Sequence, residues 1–164
     1  MRKMPFLTLL FFFGSFAFGQ TPQTQVNQLL EHWHAAAAQA NYEDYFSLMA
    51  DESVFIGTDP TENWNKQEFM QWSKPYFDRG KAWSFSTLER NIFFAEDGEI
   101  AWFDELLDTQ MGICRGSGVA DNESGKWKVK HYVLSIAIPN ENVDTVTSLK
   151  ADFDRKLMSH LRAQ

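Results

Sequence analysis

The stretch GKWKVKHYVLS, residues 125–135, alternates strictly from Trp127 onward. Trp127, Val129, His131, Val133 and Ser135 fall on one side, and Lys128, Lys130 and Tyr132 on the other. A period of two is the period of a strand with one face buried and one wet. His131, a titratable ring, sits in the middle of the dry face. A strand that spends a buried position on imidazole either satisfies it structurally or uses it.

Working back from this strand, three more strand patterns precede it. Residues 83–95 form a long one, with Ser84 and Ser86 alternating with Phe85 and Thr87. Asp97-Gly98 is a hairpin turn. Residues 100–108 return, Thr109-Gln110 serve as the next turn, and 111–120 form the third strand. A loop over 122–125 then joins it to the stretch quoted above. Pro139-Asn140 ends the sheet.

The first half of the chain reads as helices. Thr21-Pro22 marks a helix start, with Pro at the first helical position. Val26, Leu29, Leu30, Trp33 and Ala37 recur at helical spacing. Tyr42, Tyr45, Phe46 and Met49 mark a short second helix, and 54–56 a short strand that stops at the turn Gly57-Thr58-Asp59-Pro60. Asn65 and Glu68 have the spacing of a capping box. Phe69, Trp72 and Tyr76 follow on one side of a third helix, which Pro75 is expected to kink or end. Beyond the sheet, Val143, Val146, Leu149, Phe153, Leu157 and Leu161 form one stripe of a terminal amphipathic helix, expected to pack onto the body. Helices gathered first and strands later make an α+β layer fold. A long meander must curl to cover the helices, and the cone so formed is a natural ligand cavity.

Residues 1–19 are read as a secretory signal peptide. Arg2 and Lys3 precede an apolar run over 7–18, and Ala17-Phe18-Gly19 offers small residues at the positions a signal peptidase reads. The protein is therefore expected to be exported, to the periplasm or outside the cell, and to be free of the membrane after cleavage. Cleavage removes two basic groups and no acidic ones, so 15 Lys+Arg against 22 Asp+Glu become 13 against 22 and the net charge moves from −7 to −9. An acidic chain repels phosphate backbones, which excludes nucleic acid as a natural partner. Cys114 is the only cysteine, so no internal disulfide closes and the core must supply stability. The sequence has no HxxxH, CxxC or glycine-rich phosphate loop, so no metal and no cofactor is expected. CRGSGV lies within a strand pattern and reads as a bend in the sheet rather than a phosphate cradle.

VFIGTDPTENW, AWFDE, CRGSGV and WKVKHYVLS, taken in order and spacing, resemble the SnoaL-like branch of the NTF2-like superfamily over about residues 26–139. The resemblance implies a curved antiparallel sheet wrapped around three N-terminal helices to enclose a conical pocket. It divides the chain into a leader (1–19), a SnoaL-like domain (20–139) and a C-terminal helix (140–164) outside the common core. The superfamily includes ketosteroid isomerase, polyketide cyclases, dehydratases and members with no catalytic role, so the resemblance implies shape rather than chemistry. Its domains often form homodimers through the sheet.

Tight closure of the two hairpins pairs Asp108 with Met111, hence Asp104 with Arg115. A three-residue loop at 122–124 pairs Asp121 with Gly125, hence Arg115 with His131. Asp104, Arg115 and His131 are then expected as a polar row inside the cone, among Trp102, Leu106, Ile113, Val119, Trp127, Val129 and Val133. On the functional reading His131 moves a proton, Asp104 orients it, and Arg115 holds an oxyanion or carboxylate. Tyr45, Trp64 and Trp72 wall the mouth, and Asp59 is a further ligand candidate. On the structural reading the row is a buried salt-bridged network that sets strand register. The expected function is binding of a small, mostly apolar molecule, with proton transfer on a carbonyl compound as its catalytic form. The alternative is a non-catalytic dimerisation or interaction module.

Overall fold

The computed structural model describes residues 20–164, and the leader expected over 1–19 lies outside them. Helix α1 (Pro22–Ala38) starts as its sequence requires: Thr21 Oγ1 accepts from the Thr24 N–H, and Pro22 fills the first position. It buries Val26, Leu29, Leu30, Trp33 and Ala37. Helix α2 (Tyr42–Ser47) is capped by Asn41 and buries Tyr45 and Phe46. Helix α3 (Lys66–Asp78) begins with a reciprocal capping box. The Glu68 N–H donates to Asn65 Oδ1, and the Asn65 N–H donates to Glu68 Oε2, both at 3.0 Å. Pro75 does not end α3, which runs on to Asp78. The proline falls close to the C-terminus, and Phe77, buried beyond it, anchors the last turn in the core.

The three helices cover one face of a six-stranded sheet in the order β2-β1-β6-β5-β4-β3. Strands β3 (Phe85–Phe94), β4 (Ile100–Thr109), β5 (Gly112–Glu123) and β6 (Lys126–Ile136) form an antiparallel meander. Strand β1 (Met49–Ile56) is longer than its apolar triplet and runs parallel to β6, so the sheet is mixed. Strand β2 (Asn63–Asn65) pairs only with β1 and carries no strand signal in its sequence.

Two hairpins close differently from expectation. The β4–β5 turn is Gln110-Met111, so Thr109 pairs with Gly112. The β5–β6 turn is Ser124-Gly125, both with positive φ, so Glu123 pairs with Lys126. Lys130 is then an extra residue: Val129 pairs with Ala120, and His131 with Val119. This bulge reverses the alternation of β6. Trp127 and Val129 point into the core before it, and Tyr132 and Leu134 after it. The buried face of the meander is therefore Ala101, Phe103, Glu105 and Leu107 on β4, with Cys114, Gly116, Gly118 and Ala120 on β5.

The terminal helix α4 (Val143–Leu161) has no buried residue, and Leu149 is 82 % exposed. The expected packing of its apolar stripe onto the body is not seen: Leu149, Phe153 and Leu161 on that stripe are all exposed. No helix among the described residues is long and apolar enough to cross a membrane.

Candidate functional site

The polar row does not form inside the cone. Asp104 pairs with Ser117, Arg115 with Leu106 and Ser135, and His131 with Val119 and Val54. All three side chains belong to the outer face, because the inward positions of β4, β5 and β6 are taken by Glu105, Cys114, Gly116, Tyr132 and Leu134. Arg115 lies 3.8 Å from Asp104 on an open surface. A pair so exposed contributes at most about 1 kcal/mol. Trp102 is also outside, stacked on Phe93 with centroids 5.9 Å apart. Trp127 is buried, but at the α1 side of the sheet, where its Nε1–H donates to Gln25 Oε1 at 3.1 Å. Cys114 is a free, buried core residue.

A buried ionic network does exist, built from other residues on the opposite face. The Glu105 carboxylate is wholly buried in mid-strand. The Arg90 guanidinium grips Glu105 Oε2 with two groups, Nε at 2.8 Å and Nη2 at 2.6 Å. His34 Nε2 lies 3.0 Å from Oε1, and the Tyr132 hydroxyl donates to Oε1 at 3.1 Å. Arg90 also donates to Asn27 Oδ1 and Glu31 Oε1 on α1 and to Thr87 Oγ1, so its fork is satisfied. Burial alone would raise the Glu105 carboxyl, but His34 and Arg90 outweigh it and hold the group below its ordinary 4.5. Burial and the adjacent Glu105 charge push the Tyr132 hydroxyl well above 10, so it stays protonated and donates. Gly116 makes the meeting possible: a Cβ there would lie 2.8 Å from Tyr132 Cζ and 3.3 Å from Glu105 Oε1. The network joins α1 to β3, β4 and β6. Its centre, the wholly buried Glu105, holds the helix on the sheet, while Glu31 at its outer end is exposed.

The interior of the cone is filled by aromatic rings. Trp33 stacks on Tyr45 at 5.0 Å and meets Tyr132 edge-on at 4.8 Å, and Phe55 stacks on Phe69 at 4.1 Å. Tyr45, expected at the mouth, is deep in this cluster, and its hydroxyl has no hydrogen-bond partner. Among the clefts that stay open, one of about 150 Å³ lies at the β1–β2 end. Trp64, Trp72, Trp83 and Phe85 wall it, with Phe55 and Phe69 in the same lining. Glu62 stands on one side, and Gln110 and Met111 of the β4–β5 turn on another. Asp59 is not among the lining residues. It is exposed, and its Oδ1 accepts from the Thr61 N–H at 2.9 Å and the Thr61 hydroxyl at 2.6 Å, so it shapes the turn leading to Glu62. Among the described residues no group of three or more His, Cys, Asp or Glu is placed to hold a metal ion.

The sequence over residues 26–139 matches the family model of the SnoaL-like domain. The chain belongs to the SnoaL-like family. Solved structures agree on the fold. An NTF2-like protein of unknown function from Pseudomonas putida is similar over 76 % of this chain and 94 % of its own, at 17 % identity and a TM-score of 0.60. An NTF2-like protein from Cytophaga hutchinsonii is similar over 72 % of this chain and all of its own, at 15 % identity and 0.61. A protein from Shewanella frigidimarina, assigned provisionally as a ketosteroid isomerase, is similar over 70 % and 97 %, at 16 % identity and 0.58. At such identities the likeness concerns the fold alone. No curated protein sequence matches the chain.

In this SnoaL-like chain, the sequence pattern brings Trp64 and Trp72 to the cleft and leaves Glu62, Trp83 and Gln110 unremarked. No signal in the sequence marks Glu62. It becomes visible only when the loop from Gly57 closes on itself, with the Gly57 N–H donating to the Glu62 carbonyl at 3.0 Å. Glu105 had a readable signal: a charge in alternation with Ala101, Phe103 and Leu107.

Proposed function

We propose that this exported SnoaL-like protein binds a small, mostly apolar molecule in the aromatic cleft between β1, α3 and the β4–β5 turn. The observation that carries the reading is an open cavity of about 150 Å³ lined by six aromatic side chains, beside an interior already filled by the protein's own rings. A cavity of about 150 Å³ accommodates one benzene-sized group. A rigid steroid nucleus is too large for it. Export is supported by the charged start and apolar run of residues 1–19. Proton transfer by His131 and Asp104 is not part of this reading, since both lie on the other side of the sheet and the cleft holds no imidazole.

The test is tryptophan fluorescence titration with single-ring and branched aliphatic compounds. Saturable quenching is expected, and Trp64→Ala is expected to weaken it at least tenfold, roughly 1.4 kcal/mol. Absence of saturable binding across such a panel, with uncharged and cationic members alike, overturns the reading.

A second reading, a homodimer, is favoured by the outer face of the sheet. Phe93, Ile100 and Trp102 are each more than 40 % exposed there, with Phe93 paired with and stacked on Trp102, and an exposed apolar patch on a sheet marks an interface. This face carries Trp102 and Phe93 rather than Tyr132, which the bulge turns into the core. Trp102→Glu is expected to convert a dimer to a monomer in light scattering at micromolar concentration, with the far-UV spectrum unchanged. A wild-type protein that runs as a monomer at that concentration removes the reading.

A further inference from the structure

We propose that the ligand of the cleft is an organic cation with a small ammonium or methylammonium head, held by Glu62 and the surrounding tryptophans. This rests on the reading of the cleft as a ligand site and names the class of molecule it takes.

The argument begins with Glu62. It is half-buried on a wall that is otherwise aromatic and aliphatic apart from Gln110 and Thr58. Its Oε2 accepts one hydrogen bond, from the Asp59 N–H at 3.1 Å. Among the described residues no Lys, Arg or His forms an ion pair with it. The absence of a side chain at Gly57 makes room for the carboxylate, since a Cβ there would lie 3.0 Å from Glu62 Cδ and closer still to Oε2. The loop thus builds a seat for an anion beside an apolar cavity and leaves that anion without a counter-charge.

The choice of ligand follows from desolvation. A neutral apolar molecule filling the cleft strips water from Glu62 and returns no hydrogen bond, which is a cost. An anion adds repulsion. A cation turns the same removal of water into attraction, stronger as the local dielectric falls. The aromatic walls act in the same direction. Trp64, Trp72 and Trp83 supply the ring type that binds cations best. The acidic chain, with a net charge of −7 before the leader is removed, attracts cations at longer range.

The experiment compares choline with 3,3-dimethyl-1-butanol, its uncharged isostere, by calorimetric titration of the purified protein. Choline is expected to bind at least tenfold more tightly. Glu62→Gln keeps an acceptor for the Asp59 N–H and is expected to bring both ligands to the affinity of the alcohol. Trp72→Ala, at a side chain 39 % exposed and so outside the core, is expected to weaken choline more than the alcohol. Equal binding of the two compounds to the wild-type protein, or choline binding unchanged in Glu62→Gln, overturns the cation proposal and leaves the cleft as an apolar site. Failure of both compounds, together with silence in the fluorescence panel, overturns the cleft reading as well.

Discussion

Glu105→Gln is expected to lower the unfolding free energy by about 3–5 kcal/mol in urea titration at neutral pH, the usual cost of breaking one member of a buried charged network. The melting temperature should fall by about 10 °C or more. The amide has nearly the same volume, so the loss reports electrostatics rather than a cavity. Its NH₂ group must face either the Arg90 fork, which presents only donors, or the His34 and Tyr132 side, where Oε1 now accepts from the Tyr132 hydroxyl, so at least one buried hydrogen bond is lost either way. Arg90 keeps Glu31, which is exposed, and loses its buried partner. The pH dependence carries a sign. The folded-state carboxyl titrates below its ordinary 4.5. Its stabilisation is therefore fully present above that value and is lost as the pH falls through the lowered folded-state value. The gap between wild type and Glu105→Gln should be full at neutral pH and shrink progressively below 4.5. A loss under about 1 kcal/mol, or a gap that persists into strong acid, would show that the network does not hold α1 to the sheet.

Gly118→Ala is expected to cost about 3 kcal/mol, the upper part of the range for overpacking a filled core. The new Cβ would lie 2.7 Å from Phe103 Cζ and nearer still to the backbone carbonyl of His131 on β6. A side-chain tip yields by rotation, but a carbonyl in a strand ladder yields only if the sheet moves. Gly116→Ala should cost less by direct collision, because its neighbour is the end of the Tyr132 ring, yet it displaces the hydroxyl that donates to Glu105. Ser117→Ala, on the outer face between the two glycines, is the control and should stay within about 0.5 kcal/mol. Equal stabilities of Gly118→Ala and Ser117→Ala in urea would contradict the close packing of β5 on β4 and β6. The glycines of CRGSGV are thus accounted for by two large inward rings, Phe103 and Tyr132, that need the space above them.

Much of the fold is legible in the sequence. Local chemistry marks the ends of α1 and α3, since Thr21-Pro22 and the pair Asn65/Glu68 satisfy helix N–H groups with atoms a few residues away. Alternation marks β3 to β6, and the Asp97-Gly98 turn separates the first two. The site was less legible. Apolar residues stand on both faces of β4: Ala101, Phe103 and Leu107 inside, Trp102 and Leu106 on the outer face. Hydrophobicity therefore does not say which face is inward. The choice turns on one residue, Lys130, whose insertion reverses the parity of β6 between Val129 and Tyr132. An uninterrupted alternation carries His131 inward and Tyr132 outward, and the bulge does the opposite.

The sequence by itself determined the helices, the strands of the meander, their order and the family, because caps, turns and periodicity are written in residues close together along the chain. The tertiary structure alone decided which side of the sheet is the core, which acid is buried, and that the open space lies beside Glu62 and not around His131. Those outcomes depend on register between strands and on how rings from α1, α2, α3 and β6 fill one volume, and both are set by contacts between residues far apart in the chain.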